Sequence, residues 1–478
     1  MSYALTVGLE VHAELKTKTK LFCACLNSPE ERIPNKNICP ICLAHPGTLP
    51  VMNKEAVGLV LKIGQAIGGK ISDDFSEFDR KNYFYPDIPK GYQISQYAFP
   101  LVSGGELAGI KIHRIHLEED TGKSVHDQND GETMIDFNRA GVPLMELVTE
   151  PVIKTKDEAV LFAKKLKQLL EYLDASAASM EDGGMRFEAN ISISKDNSRG
   201  TKVEVKNLNS FKAVEQSIAY EYDRQQKVLE GGEKVVQETR GYDESTGETF
   251  SQRKKEVSEE YRYFPEPDLP KLKIKDIAKW QAEKIKEILP SLPAERQKKL
   301  IDLGVNQAAI EIFLERPELY DWLISLPQTD PKILQMAINY LLTDLMPIYL
   351  TESVLPEKEA YLEVMNLLEK KKISSRTAKD VLPILSKNKD EVLSNGSVLA
   401  YLTQKNILQS EDLAELKSIT KKIIQKHPNL VTDYQKGKIS VLQFLIGQSM
   451  AEAKGRGNPE KFRELLLENL KESETKNL

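Results

Sequence analysis

Apolar and polar positions alternate through most of the first 290 residues, in short runs bounded by Gly, Pro and Asn. The runs GIKIHRIHLEED, TMIDFNRAG, FEANISIS and TKVEVKNL are typical of β-strands with one apolar and one polar face. Two segments, KEAVGLVLKIGQAI and KDEAVLFAKKLKQLLEYL, have apolar residues every three or four positions and predict amphipathic helices. We therefore expect residues 1–290 to form an α+β domain built on a largely antiparallel sheet.

The pattern changes after the proline-rich stretch YRYFPEPDLPKLKI. From LPAERQKKLIDLGV onward nearly every segment has helical spacing and stops at Pro, Asn or Gly, which predicts an all-α C-terminal half. A break at Ser394-Asn395-Gly396 divides this half into a helical linker domain, 291–400, and a helical tail domain, 401–478.

Composition limits the possible partners of the chain. With 478 residues and 40% hydrophobic composition, the chain can bury more than one core. A net charge of −6 argues against nonspecific coating of nucleic acid, so any RNA contact must be local. The N-terminus lacks a basic region before a long apolar core, and no stretch approaches the roughly 20 apolar residues of a bilayer span. We expect a cytoplasmic protein with no membrane partner.

The four cysteines all lie between residues 23 and 42. Cys23 and Cys25 form a C-x-C pair, Cys39 and Cys42 form a C-x-x-C pair, and thirteen residues separate the pairs. Four thiolates in two tight pairs can surround a tetrahedral zinc ion, which would be structural because no ligand position stays open. Buried unligated cysteines and a redox pair are the alternatives. The spacing favours a zinc-binding loop over residues 23–42.

Glu10 and His12 in GLEVH project from the same face of the first predicted strand. A carboxylate beside an imidazole can hold a divalent cation, although a Glu-x-His pair on a solvated strand face is an alternative. Further acids in polar strand contexts favour the cation, because magnesium sites that act on phosphates use such oxygen ligands. These acids are Glu118, Glu119, Asp120, Glu150, Glu188 and Glu204.

Two further segments suggest a nucleotide or RNA site. The string TGKS around Lys123 lacks the upstream glycine of a phosphate-binding loop, because Leu117 stands in its place. Lys123 remains a candidate phosphate-binding residue outside that architecture. The segment FDRKNYFYPDIPKGYQISQ interleaves cations with aromatic rings, which suits a nucleotide or an unstacked RNA end, or else core packing. The candidate binding residues of this segment are Arg80, Lys81, Tyr83 and Tyr85. Later segments contain Arg240 and Arg262, which either add cations to the same site or lie in a solvated loop.

Together, these strings resemble an ordered series of family motifs: GLEVH, FDRKNYFYPDIPKGYQISQ, HLEEDTGKS, NRAGVPLMELVTEP, VEVKNLNSF, QETRGYDESTGET and YRYFPEPDLP. The series is that of the B subunits of aspartyl/glutamyl-tRNA amidotransferases, and it spans about residues 5–270. The C-terminal string DYQKGKISVLQFLIGQSMAEAKGRGNP is similar to the helical tail of that family.

The resemblance implies an ATP- and Mg²⁺-dependent ligase in a heterotrimer with a glutamine-hydrolysing A subunit and a small C subunit. The chain would phosphorylate the side-chain carboxylate of glutamate or aspartate on a misacylated tRNA, and ammonia from the A subunit would displace the phosphate. The resemblance implies Glu10, His12, Glu119, Glu150, Glu188 and Glu204 as the metal set, with the first four also catalytic. Lys206 and Asn207 of VEVKNLNSF join the substrate-binding residues.

The tail is the basic end of the chain. From Lys405 to Leu478 there are thirteen Lys and Arg against ten Asp and Glu. Lys436, Lys438, Lys454 and Arg456 lie beside glycines, the first two at a predicted helix start, and glycine permits close approach to phosphates. A solvated helical bundle is the alternative. By resemblance, the tail would bind the body of the tRNA.

The residues disfavour two rival functions. A stand-alone ligase that makes its own ammonia lacks a candidate nucleophile, because the cysteines are assigned to metal. A non-enzymatic tRNA-binding scaffold would have little use for converging carboxylates. Whether glutamyl-tRNA, aspartyl-tRNA or both are substrates does not follow from the sequence.

Overall fold

The computed structural model describes residues 3–28, 30–72, 74–126, 132–195, 199–254, 261–409, 412–453 and 456–475. The chain divides into two compact units, Met1–Leu292 and Pro293–Leu478. Each unit has its own hydrophobic core, and each is described by itself.

Fifteen strands form the sheets of the first unit within the described residues. They are β1 (Ala4–Glu14), β2 (Lys70–Ile71), β3 (Asp79–Asn82), β4 (Tyr92–Ser95), β5 (Val102–Ser103), β6 (Glu106–Leu107), β7 (Ile110–Glu119), β8 (Lys123–His126), β9 (Thr133–Asp136), β10 (Pro143–Thr149), β11 (Met185–Ser194), β12 (Val203–Leu208), β13 (Glu238–Asp243), β14 (Glu248–Lys254) and β15 (Phe264–Pro265).

The main sheet of the described chain has ten strands in the order β14-β13-β12-β11-β1-β10-β7-β5-β2, with β6 beside β7. All of its pairings are antiparallel except that of β12 with β13. A smaller sheet has the order β15-β3-β4, and β8 and β9 form a hairpin. Strand β1 therefore lies at the centre of the main sheet, between β10 and β11.

Four α-helices lie within the described residues of the first unit: α1 (Lys54–Ala66), α2 (Lys156–Tyr172), α3 (Phe211–Glu230) and α4 (Ala282–Ile288). Each of the three long helices begins at a side chain that accepts a backbone N–H bond, which satisfies a donor that the first turn leaves open. The capping residues are Asn53, Thr155 and Ser210. Thr155 and Glu158 form a reciprocal capping box.

The two faces of the main sheet have opposite chemistry. Val7, Leu9 and Val11 of β1 are buried in one core with residues of α1, α2 and α3. Because side chains alternate along a strand, the residues between them point to the other face. That face carries Glu10 and His12 at its centre, and acidic and basic side chains of the neighbouring strands surround them. The apolar face anchors the sheet, and the polar face is available for chemistry.

The second unit is helical throughout its described residues. Its helices are α5 (Pro293–Asp302), α6 (Gln307–Glu315), α7 (Pro317–Ile324), α8 (Pro331–Tyr340), α9 (Met346–Glu352), α10 (Lys358–Glu369), α11 (Ser375–Lys387), α12 (Lys389–Leu393), α13 (Val398–Gln404), α14 (Leu413–Lys426), α15 (Pro428–Gln435), α16 (Val441–Glu452) and α17 (Pro459–Thr475). One large core runs from Leu300 to Leu402, and two small clusters lie between Leu416 and Leu470.

The structure confirms the predicted fold class, an α+β part on a largely antiparallel sheet followed by an all-α part. It corrects three details. Helix α3 is not one of the two helices predicted for the first part. Gly437 follows the end of α15 and does not begin a helix. The residues of α13 belong to the large core, although the predicted break at Ser394-Asn395-Gly396 assigns most of them to the tail.

One helix within the described residues, Pro331–Glu352, is long and apolar enough to cross a membrane by length and composition. It joins α8, a π-helical stretch and α9 into one continuous helix. Ile333, Ala337, Ile338, Leu341 and Leu345 of this helix are buried in the core of the second unit. A single helix of this kind, with a face buried in a protein core, is weak evidence for a membrane span.

Candidate active site

The polar face of the main sheet brings carboxylates and histidines of four adjacent strands together. Glu10 of β1 lies opposite Glu188 of β11, and His12 lies opposite Glu146 of β10. Glu118 extends from β7, the next strand beyond β10. The register of the central strands therefore places these groups on one face of the sheet, along a diagonal from Glu188 and Glu10 through His12 and Glu146 to Glu118.

His12 is the centre of this row. Its Nε2 atom lies 3.4 Å from Glu118 Oε1, 3.5 Å from Glu146 Oε2 and 3.9 Å from Glu10 Oε1. Two sets of possible ligands share it: Glu10, His12 and Glu188, and His12, Glu118 and Glu146. In each set the donor atoms lie within 4.8 Å of one another. We call these five residues the carboxylate row.

Two lysines flank the carboxylate row. Lys206 Nζ lies 2.9 Å from Glu188 Oε2, and Lys81 Nζ lies 4.0 Å from Glu118 Oε2. Lys81 also lies over the ring of Tyr261, 5.3 Å from its centroid. The two ammonium groups sit at opposite sides of His12, so anionic groups of a ligand would meet a cation on either side.

The electrostatics of the row follow from its burial. Burial and the nearby carboxylates of Glu146 and Glu188 raise the pKa of Glu10 to about 8. Burial would also raise the pKa of Glu118, but Lys81 and His12 lower it to about 2. Burial would lower the pKa of His12, but hydrogen bonds with Glu118 and Glu146 raise it well above its usual value. Without a metal, the row therefore holds protons on Glu10 and His12 at neutral pH.

His116 supports the row from β7. Its Nε2 atom lies 3.2 Å from Glu146 Oε2, and the side chain is buried. Hydrogen bonds of this kind fix the direction in which a carboxylate points toward a metal ion. Burial would raise the pKa of Glu146, but His116 and His12 hold it well below its usual value.

Carboxylate oxygens with one imidazole suit a hard divalent cation such as Mg²⁺ or Mn²⁺. The donor sets of the row fit such an ion, because their atoms already converge and Glu118 and Glu146 are held ionised. A cation there, with Lys81 and Lys206 beside it, would oppose the negative charge of phosphate groups.

The four cysteines form a separate cluster. The Sγ atoms of Cys23, Cys25, Cys39 and Cys42 lie within 4.8 Å of one another, as tetrahedral metal coordination requires. The Cys39 backbone N–H donates to Cys42 Sγ at 3.1 Å. A hydrogen bond from Cys23 lowers the pKa of the Cys42 thiol to about 5, whereas burial raises the pKa of Cys25 to about 11. The cluster is close enough to bind a metal ion.

A cavity of about 250 Å³ lies beside the cysteine cluster. Cys23 and Cys42 line one part of it, and Lys90 and Glu119 line another. Lys90 Nζ lies 2.6 Å from Glu119 Oε2, and the backbone N–H of Ile94 donates to Glu119 Oε1 at 2.9 Å.

Comparison with known families agrees with this arrangement. The model of the GatB/GatE catalytic domain matches residues 5–279, and the model described as the GatB domain matches residues 329–470. The first match alone covers more than half of the chain. The chain belongs to this family.

Full-length relatives extend the match to both units. The B subunit of aspartyl/glutamyl-tRNA(Asn/Gln) amidotransferase from Thermodesulfovibrio yellowstonii is 40% identical over 490 residues, with 99% of this chain and 100% of the relative covered. The proteins of the same name from Carboxydothermus hydrogenoformans and Thermus thermophilus are each 40% identical, over 487 and 481 residues, with 98% of this chain and 99% of each relative covered. The predicted family, that of the amidotransferase B subunits, is thus confirmed.

In this member of the B-subunit family, three residues of the predicted metal set lie outside both donor sets. Glu119 follows Glu118, so strand alternation points it to the opposite face, toward Lys90. Glu150 lies beyond a bulge at the end of β10 and pairs with His113, 2.9 Å away. Glu204 lies on the polar face but accepts a hydrogen bond from Thr239 at 2.7 Å.

Glu118, Glu146 and His116 lie at the site but are absent from the metal set predicted from sequence. Glu118 is among the acids of HLEEDTGKS, yet the predicted metal set contains its neighbour Glu119 instead. Strand parity is the signal that distinguishes them, because apolar Ile115 and Leu117 put Glu119 on the core side of β7. Glu146 interrupts the apolar run PLMELVT, which marks a polar position on a buried strand.

The predicted substrate-binding residues divide into three groups. Lys81 and Lys206 lie at the carboxylate row. Arg80, Tyr83 and Arg240 are engaged in contacts within the protein: Arg80 with Glu266 at 2.7 Å, Tyr83 with Gln93 at 2.8 Å, and Arg240 with Glu238 at 2.6 Å and Glu221 at 3.2 Å. The remaining residues are exposed: Tyr85, Lys123, Asn207 and Arg262.

Of the four predicted tRNA-binding residues, Lys454 lies outside the described residues. Lys436 is exposed at the end of α15. Lys438 Nζ lies 3.0 Å from Asp433, and Arg456 Nη2 lies 3.4 Å from Glu415. Lys436 and Lys438 flank Gly437, whose φ of 90° is one that glycine adopts without strain.

Proposed function

We propose that this chain is the ATP-using subunit of a tRNA-dependent amidotransferase. It phosphorylates the side-chain carboxylate of glutamate on tRNA(Gln), of aspartate on tRNA(Asn), or of both, and amidates it with ammonia. A partner A subunit supplies the ammonia by hydrolysing glutamine, and a small C subunit completes a cytoplasmic heterotrimer. Membership in the B-subunit family and the names of the relatives support this proposal.

One observation supports the proposed chemistry most strongly. His12 belongs to both donor sets, and Lys81 and Lys206 each lie beside one of these sets. A carboxylate does not react with ammonia until one of its oxygens becomes a good leaving group. In the first step a carboxylate oxygen attacks the γ-phosphorus and ADP leaves. In the second step ammonia attacks the acyl carbon, phosphate leaves with the C–O bond electrons, and a proton is lost to water.

The carboxylate row would hold Mg²⁺ through Glu10, His12, Glu188, Glu118 and Glu146. A bound magnesium ion would neutralise part of the negative charge of the phosphate groups. Lys81 and Lys206 would contact the phosphate or carboxylate oxygens, while His116 keeps Glu146 aimed at the metal site. Glu119 would act with Lys90 at the cavity and not as a ligand of this cation.

The four cysteines would hold one structural Zn²⁺, since a closed set of four thiolates leaves no position for a substrate. In the tail, Lys436, Lys438, Lys454 and Arg456 would contact tRNA phosphates. We expect about one zinc ion per chain in protein purified without chelators, and a content near zero would refute the zinc assignment.

The experiment that tests the function is co-purification with candidate A and C subunits, followed by incubation with each misacylated tRNA, ATP, Mg²⁺ and glutamine. Amidated tRNA and ADP should form together, and both should depend on the misacylated tRNA. A matched pair of variants, Glu118→Gln and Glu204→Gln, separates the carboxylate row from its neighbours. Only Glu118→Gln should abolish ADP formation, because only Glu118 lies in a donor set.

The same assay tests the rival function, a non-enzymatic tRNA-binding scaffold. A scaffold would bind the tRNA and the partners without coupling ADP formation to amidation, and Glu118→Gln would then change nothing. Such an outcome would overturn the proposal.

A further inference from the structure

Lys20 is a fully buried lysine next to the cysteine cluster. Its side chain is 0% exposed. Its Nζ atom donates to Cys42 Sγ at 3.8 Å and to the carbonyl oxygen of Phe137 at 3.2 Å. Within the described residues, no carboxylate oxygen lies within 4.0 Å of this ammonium group.

A buried ammonium group is costly unless an anion is close to it, because its hydration is lost on folding. A carbonyl oxygen supplies only a dipole. The nearest group that can carry a full negative charge is the sulfur of Cys42. Four thiolates around one Zn²⁺ leave a net charge of −2, which itself needs a counter-charge in a partly buried site.

We propose that Lys20 is the buried counter-ion of the four-cysteine metal site and that it stabilises the metal-bound form over the metal-free form. This inference rests on the proposed zinc site and is independent of the phosphoryl-transfer chemistry at the carboxylate row.

The backbone holds Lys20 where this role requires it. The Lys20 N–H donates to the Cys25 carbonyl oxygen at 2.9 Å, and the Leu21 N–H donates to the Gly141 carbonyl oxygen at 2.8 Å. Lys20 is therefore tied both to the first cysteine pair and to the turn before β10. These backbone bonds fix the position from which the side chain extends, and the ammonium itself is held by Cys42 Sγ and the Phe137 carbonyl oxygen.

Gly141 packs beside this arrangement. A Cβ atom at Gly141 would lie 3.6 Å from Lys20 Cδ, 3.7 Å from Cys42 Cβ and 3.9 Å from Glu119 Oε2, the carboxylate oxygen that pairs with Lys90 at 2.6 Å. The lysine stem and the cysteine are thus packed against the same backbone position. This packing keeps the ammonium beside the sulfur.

The test replaces Lys20 with the similarly long but uncharged methionine. Lys20→Met should increase the rate of zinc transfer to a chromogenic chelator about tenfold or more, as changes beside metal ligands typically do. Lys18→Met is the matched control, because Lys18 is exposed two residues away and should leave zinc transfer unchanged. Inductively coupled plasma analysis of the wild type first establishes the zinc content.

A second measurement separates a counter-ion from a merely structural lysine. Thermal unfolding should show a smaller loss of stability for Lys20→Met in the metal-free forms than in the zinc-bound forms, because without zinc the ammonium faces one thiolate, that of Cys42, whereas the zinc-bound site carries a net charge of −2. The zinc-bound variant should be less stable than zinc-bound wild type. If Lys20→Met does not accumulate as folded protein, Lys20→Gln removes the same charge and is measured in its place.

Unchanged zinc transfer in the neutral variants would overturn the inference, as would an equal loss of stability in the zinc-bound and metal-free forms. A wild type without zinc would instead refute the metal assignment on which the inference rests. Neither result bears on ATP-dependent amidation, which the assay of the carboxylate row measures separately.

Discussion

Glu146 and Glu150 lie four residues apart, yet only Glu146 faces His12. Glu146 Oε2 is 3.5 Å from His12 Nε2, whereas Glu150 pairs with His113 after the bulge that ends β10. Glu146→Gln should therefore reduce ATP-dependent amidation about a hundredfold or more, since it removes a charged ligand from the site of charge development. Glu150→Gln should retain most of the activity. Single-turnover amidation of misacylated tRNA measures both.

The control is the glutaminase activity of the partner, which neither substitution should abolish because it occurs on another chain. Equal losses of amidation in the two variants would contradict the assignment of Glu146 over Glu150.

Protons should leave the carboxylate row when magnesium binds. Burial and neighbouring carboxylates raise the pKa of Glu10 to about 8, so this carboxyl is mostly protonated at pH 7 and must lose its proton to become a ligand. Each released proton should make magnesium affinity rise about tenfold per pH unit, and the contribution of Glu10 should end once the pH passes its pKa of about 8, whereas the proton of His12 adds its own. Titration calorimetry in buffers of different ionisation enthalpy counts the protons.

Glu10→Gln is the matched variant for this titration, and it should release fewer protons at the same pH. Binding without proton release in the wild type would show that Glu10 is not a ligand or is already ionised.

At the scale of single residues, the sequence predicts Glu10, His12 and Glu188 as metal ligands, because Glu10 and His12 share one strand face and the family motifs contain all three. It did not distinguish Glu118 from Glu119, because adjacent acids in one motif differ only in strand parity. The apolar residues Ile115 and Leu117 are the sequence signal for this parity, and their burial confirms that Glu119 is on the core side of the strand.

At the scale of elements, the cysteine loop is fastened to the segment that precedes β10. Asn35 donates its backbone N–H to Asp136 at 2.9 Å, and Asn138 donates its side-chain amide to the Ile33 carbonyl at 2.7 Å. The backbone N–H of Asn37 donates to Asn138 Oδ1 at 2.8 Å. A metal ion bound by the four cysteines would hold the two ends of this loop together. Through the hydrogen bonds above, the bound metal should also order residues 135–141.

Removing the metal should loosen both segments together. After chelation, we expect faster amide hydrogen exchange in residues 30–45 and 135–141, because their hydrogen bonds depend on the closed loop. Exchange in α2 should not change, since α2 packs mainly against α3. Exchange mass spectrometry of the protein before and after chelation measures the three regions. Faster exchange throughout the first unit would instead show that the metal stabilises the whole fold of this unit and not these two segments alone.

Most elements could be predicted from periodicity, and α3 shows why one could not. Its buried face includes Ser217, Glu221 and Gln225, so the apolar period is broken at the positions that pack against the sheet. Glu221 is satisfied there by Arg224 at 2.9 Å and by Thr249 at 2.6 Å. A helix with polar residues on its buried face can be predicted only when the strands that supply hydrogen-bond partners for those residues are known.

At the scale of the whole molecule, the basic tail has its own small clusters of apolar residues. These begin at Leu416, whereas residues up to Leu408 pack with the large core of the second unit. Truncation after Gln409 should therefore keep the large core intact, which truncation after residue 400 would not, because Tyr401 and Leu402 are buried in it.

The assembled complex truncated after Gln409 should show a KM for misacylated tRNA raised about tenfold or more, with ATP binding unchanged, because tail contacts to phosphates contribute affinity and little base specificity. Lys436→Gln with Lys438→Gln should give a smaller increase that shrinks as salt rises. Wild-type tRNA affinity at moderate salt in the folded truncated complex would contradict a tRNA-binding role for the tail.

The central claim is that the carboxylate row activates the substrate carboxylate with ATP. The most direct measurement supplies ammonium chloride in place of glutamine, so that the assay no longer depends on the partner glutaminase. Assembled wild-type complex should convert misacylated tRNA to amidated tRNA with stoichiometric ADP, and His12→Ala should lose both products while still binding the tRNA. Amidation by the His12→Ala complex at the wild-type rate would contradict the account.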